Sequence, residues 1–132
     1  MQAQGRSAHR RRLTAAAIVI LVAGPAPALT WAQDRPPAAR QSLLELAWVL
    51  GQSHALTQAC APEDQTWRAR MTRLIAVETP DQAFEARLAE QFNAGFAAAR
   101  QSFPTCAPAS KAEAAKVAKR GQELSAALSR TP

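Results

Sequence analysis

From residue 38 onward, apolar residues recur at three-and-four spacing, the mark of helices that bury one face. Between Ala38 and Ala59 the positions Leu43, Leu46, Ala47, Leu50 and Leu56 share such a face, with no proline among them. Gly51 lies inside this pattern at a cost of about 1 kcal/mol against alanine; close contact with another helix or a local break would account for it. Cys60-Ala61-Pro62 closes the element, because a residue preceding proline disfavours helical geometry. A second helix is predicted over Glu63–Glu78, with Trp67, Met71, Leu74 and Ile75 inward. Its acidic start at Glu63 and Asp64 suits the positive end of the helix. Thr79 as N-cap, Pro80 at the first helical position and Gln82 in a capping box predict the start of a third helix. Its stripe is Phe84, Leu88, Phe92, Phe96, Ala99 and Phe103, and Pro104 ends it. A fourth helix is predicted after Pro108, with Ser110 and Glu113 as a second capping box and Ala114, Val117, Gly121, Leu124 and Leu128 inward.

No segment alternates as a strand would. The fold class expected is all-α: a small bundle of three or four helices forming a single domain over residues 38–130, preceded by a flexible, proline-bearing leader at residues 33–37.

The pattern upstream is different. Arg6, Arg10, Arg11 and Arg12 form a basic cluster, and no acidic residue appears before Asp34. An uncharged apolar run, Leu13 to Ala23, follows, then Gly24-Pro25 and a small-residue stretch from Ala26 to Ala32. Basic start, apolar core and small-residue exit are the three parts of a secretory signal peptide, assigned to residues 1–32. The apolar run is too short for a spanning helix, which needs roughly 20 residues, so no permanent membrane anchor is expected. Two cleavage sites compete, Ala26-Pro27-Ala28 and Thr30-Trp31-Ala32, and the second is favoured because polar Gln33-Asp34 follows it. The expected location is the periplasm. Arg10-Arg11-Arg12-Leu13 has only a faint twin-arginine character.

Removing the signal changes the charge. The whole chain carries +6, but from Gln33 to Pro132 nine Arg and three Lys face ten acidic residues, leaving +2. That balance gives no footprint for nucleic acid, which calls for clustered basic residues on one face.

Cys60 and Cys106 both lie in the expected mature part, and an oxidising compartment makes them a structural disulfide. The bridge would tie the end of the first helix to the loop between the third and fourth. That connection is expected to go with an antiparallel arrangement, the third helix returning toward the first turn. No metal is expected: two cysteines and His54 are too few ligands for structural zinc. Neither cysteine sits in a Cys-x-x-Cys pair that would support redox chemistry.

The words Leu50-Gly51, His54, Leu56, Cys60, Trp67-Arg68-x-Arg70-Met71, Leu74, Glu78, Phe92-Asn93-x-Gly95-Phe96, Cys106, Gly121 and Leu124 resemble a known family. It is the domain of unknown function 2385 family, small exported proteins of alphaproteobacteria, and the resemblance covers Leu43 to Leu128. It implies an export signal but supplies no activity and no cofactor. Phe96 stands where that pattern often has tyrosine, so no hydroxyl role follows there.

The polar members of the pattern form the candidate polar site: His54, Arg68, Arg70, Glu78 and Asn93. His54 could serve as a base near neutral pH or simply pack. Arg68 and Arg70 could bind an anion, or one of them could pair with Glu78. Asn93 could bond a neighbouring helix end. Phosphate loops, zinc-helix motifs and a serine elbow are absent from the sequence. Glu63-Asp64 makes a poor acid and base pair, since adjacent helical residues do not face each other.

The first two helices carry more large apolar residues than one inward stripe needs. Leu44, Trp48 and Val49 are therefore the expected interaction surface. Two readings follow. One is a non-catalytic module that binds a periplasmic or envelope protein or helps maintain the envelope. The other is a small hydrolase or ligand-binding protein using His54, Arg68, Arg70 and Glu78.

Overall fold

The computed structural model describes residues 31–131, so all but the last two residues of the expected signal peptide, residues 1–32, lie outside the described residues. A short 3-10 turn, Ala32–Asp34, leads into four helices: α1 Pro37–Cys60, α2 Thr66–Glu78, α3 Gln82–Ser102 and α4 Pro108–Ser129. Pro37 occupies the first turn of α1, where its missing N–H costs nothing. Ala61 leaves the helical region at the other end (φ −139°, ψ 81°), in keeping with the bias of a residue before proline against helical geometry.

α1 is the central helix. It packs on α3 most extensively, then on α4 and α2, while those three make at most slight contact with one another. Three partners require more than one inward stripe. Leu44 and Val49, expected on an interaction surface, are accordingly buried in the core at 7% and 4% exposure beside Leu43, Leu46 and Leu50. Trp48 is half-buried and packed against that core.

The chain runs up, down, up and down. Trp67 of α2 donates its indole N–H to Thr57 Oγ1 of α1 at 2.8 Å, while Glu78 meets Arg35 at the other end, so α2 is antiparallel to α1. Arg120 pairs with Glu45, and Arg35 reaches Leu128 and Thr131, so α4 is antiparallel as well. In α3, Phe84 lies by Arg40 and Phe96 by His54, which makes α3 parallel to α1. Consecutive helices are thus antiparallel, and α3 returns toward the turn that follows α1, the arrangement expected from the bridge. Each short connector reverses the chain once, and the Cys60–Cys106 disulfide joins the C-terminal ends of α1 and α3. In the chain-entropy account, closing a loop of 46 residues contributes about 4 kcal/mol.

The α1–α3 contact is made backbone to backbone. A Cβ on Gly51 would collide with the carbonyl of Phe92, and one on Gly95 with the carbonyl of Trp48. Gly51 thus marks a helix crossing, not a break.

Three helix starts differ in detail from the sequence pattern. α2 begins at Thr66, with Asp64 Oδ1 accepting from the Thr66 N–H at 2.8 Å, so Glu63 and Asp64 precede the helix. Thr79 does not cap α3; it takes a left-handed conformation (φ 41°) that stops α2. Asp81 caps α3 instead, accepting from the Phe84 N–H at 2.8 Å. In α4, Pro108 opens the helix and Ser110 Oγ reaches back to the Ala107 N–H at 2.8 Å, while Glu113 pairs with Lys116.

The leader is docked. Within residues 33–37, expected to be flexible, Arg35 holds Glu78 and two carbonyls near the end of α4; Ala32, the last residue of the expected signal peptide, is also fully buried.

Candidate functional site

Because α2 and α4 both lean on α1 without packing on each other, a groove of about 640 Å³ opens between them. Leu46 and Leu50 of α1 form its floor. One wall is the α2 stripe Trp67, Arg70, Leu74 and Val77, with Arg73 beside it. The other wall is the α4 stripe Ala118, Gly121, Gln122, Ser125 and Ser129, small or polar side chains at helical spacing. Val77 is 66% exposed, the only large aliphatic side chain so open among the described residues.

The groove is apolar below and basic at one rim. Trp67 satisfies its indole N–H on Thr57, which leaves its ring as an apolar wall. The Arg70 guanidinium lies 4.5 Å from the centre of that ring, a cation–π stack that holds it at the rim. Among the described residues neither Arg70 nor Arg73 makes a side-chain hydrogen bond or ion pair, and no acidic side chain lines the groove.

The sequence-predicted polar residues are scattered. His54 is 2% exposed in α1 and packs against the rings of Phe92 and Phe96, 5.8 and 5.4 Å away. Burial pushes its pKa below the ordinary histidine value, Arg68 pushes the same way, and Asp64 opposes them. Asp64 itself is held below the usual carboxylate range by its hydrogen bond from the Thr66 N–H. Glu78 is buried, and both its oxygens are taken by Arg35, at 2.6 and 2.8 Å. The pairing partner weighed for Glu78, Arg68 or Arg70, is therefore corrected to Arg35. Arg68 and Asn93 are exposed, and neither lines the groove. Only Arg70 of that set belongs to it.

A second, more polar depression of about 400 Å³ lies between α1 and α3, lined by Gln41, Glu45, Trp48, Arg87 and Gln91. Trp48 thus faces a polar hollow, not an apolar groove. Among the described residues, no group of His, Cys, Asp and Glu is arranged to hold a metal ion, and no helix is long and apolar enough to cross a membrane.

The family model described as a protein of unknown function (DUF2385) matches residues 39–131, from the first turn of α1 to the end of α4. The chain belongs to the DUF2385 family. No curated protein and no solved structure matches it. Every groove residue of this DUF2385 domain falls within the matched span.

Sequence reasoning placed Leu46, Leu50, Trp67 and Leu74 on inward faces but not around a groove. Val77 and, apart from Gly121, the α4 wall carried no expectation, and Arg73 reads only as a residue facing away from the core. The available signal was the run of small residues at Ala118, Gly121, Ser125 and Ser129, which leaves one side of α4 without bulk.

Proposed function

We propose that this DUF2385 domain is an exported, non-catalytic binding module of the cell envelope that engages a partner through the α1/α2/α4 groove. The observation that carries the reading is the groove itself: apolar floor, preset arginine rim and open walls, in the size range of about 300–1,000 Å³ typical of binding clefts. Export rests on the three-part N-terminal pattern, and processing after Ala32 is checked by the intact mass of the exported protein.

The alternative, a hydrolase using His54, Arg68, Arg70 and Glu78, needs these groups within hydrogen-bond reach of one substrate. It gains no support from a histidine packed between phenylalanines and a carboxylate committed to Arg35.

Affinity capture from periplasmic extract tests the binding reading when repeated with Ser125→Trp, which fills the groove, and Trp48→Ala, which lies outside it. Partners lost with Ser125→Trp and kept with Trp48→Ala support it; the reverse pattern contradicts it.

A further inference from the structure

The groove has a shape and a charge that narrow its occupant. It runs along eleven residues of α2, Trp67 to Val77, about 15 Å at the rise of an α-helix. Its two walls are themselves helices, and both lie antiparallel to the helix that forms the floor. Small side chains along α4 let another backbone come close, as helix packing at 8–10 Å between axes requires. The hydroxyls of Ser125 and Ser129 and the amide of Gln122 make that wall half-polar. A lone acyl chain would leave those groups facing methylenes, at a desolvation cost. A helix with an apolar stripe and polar flanks matches both the floor and the wall.

Charge then selects among helices. Arg70 and Arg73 stand at the rim without acidic neighbours in the groove, and Arg70 is already held in place by Trp67. A basic helix would be repelled. The α2 helix of a second copy would bring Arg68, Arg70 and Arg73 against the same rim, with Glu78 its sole acidic residue and that one already paired. We infer that the groove takes an amphipathic helix of a partner protein that sets acidic side chains against Arg70 and Arg73. This inference rests on the binding reading above and adds the class of the partner.

The test uses protein produced with its own leader and purified after export. The probe is a displayed library of 16-residue amphipathic helices with a fixed apolar stripe and flank positions varied among Glu, Gln and Lys. Wild-type protein is expected to enrich glutamate flanks, and the charge reversal Arg70→Glu with Arg73→Glu to lower the affinity of the selected helices about tenfold or more. Both arginines are exposed, so circular dichroism of the double variant should match wild type. Helices enriched without flank preference, or with lysine flanks, overturn the acidic partner while leaving groove binding intact. No helices lost on Ser125→Trp would overturn both. Sedimentation with phosphatidylglycerol vesicles that depends on the two arginines, or self-association blocked by Ser125→Trp, would assign the groove to a lipid surface or a second copy and overturn the inference.

Discussion

Arg35 and Glu78, 43 residues apart in sequence, form a two-pronged ion pair: Nε on Oε2 at 2.6 Å and Nη2 on Oε1 at 2.8 Å. The third guanidinium nitrogen reaches the carbonyls of Leu128 and Thr131 at 3.5 and 3.3 Å. One side chain therefore joins the start of the folded chain to the last turn of α2 and the end of α4. The side chains are 13% and 6% exposed, too little for solvent to screen the pair fully.

Removing one member of such a pair strands the other charge, at a cost of several kcal/mol. Arg35→Ala is expected to destabilise the domain by about 3 kcal/mol in urea unfolding. Arg35→Ala with Glu78→Ala should cost less than the two single changes combined. Simple additivity of the two would show that the pair contributes no coupling.

A second prediction separates two kinds of glycine. Gly51→Ala and Gly95→Ala each drive a methyl into main-chain carbonyl atoms of the facing helix, and backbone cannot swing aside as a side chain can. Each should destabilise by about 2 kcal/mol or more, net of the roughly 1 kcal/mol that alanine gains in a helix. At Gly121 the added atom meets only a Val49 methyl at 3.2 Å. Gly121→Ala should stay within about 1 kcal/mol of wild type. Equal losses at all three positions, read by thermal unfolding, would contradict the close α1–α3 crossing.

The helix pattern carried much of this architecture because α1, α3 and α4 each have a strong periodic stripe and a proline near at least one end. The disulfide followed from there being two cysteines in a segment expected to be exported. Where the pattern misled, the deciding relation was tertiary. Leu44 and Val49 looked surplus to one stripe, yet α1 is covered on three sides and buries them both. Thr79 and Asp81 are both good caps, and the left-handed turn at Thr79 gives the role to Asp81. Arg35, in a proline-bearing segment that read as loose, announces nothing about Glu78. The groove exists because α2 and α4 do not meet, a fact that neither helix carries in its own sequence.

His54 gives the domain a pH dependence of predictable sign. The unfolded chain takes up a proton on this residue below about pH 6.5, whereas burial makes the folded ring resist it. Stability contributed by the neutral ring is complete above that pH and is lost as the pH falls toward the depressed folded value. Between pH 7.5 and 5 the wild type should lose more thermal stability than His54→Gln, in which the other titrating groups remain. Parallel pH profiles for the two proteins would show that His54 protonates equally in both states.

If the α1/α2/α4 groove is where this domain meets a partner, site-specific photo-crosslinking in living cells will capture the contact there. A benzophenone side chain in place of exposed Val77 on the groove is compared with one in place of Asn93 on α3, which lies outside it. Discrete adducts are expected from position 77, lost when Ser125→Trp is added, with none from position 93. Adducts from position 93 with none from position 77 would contradict groove binding.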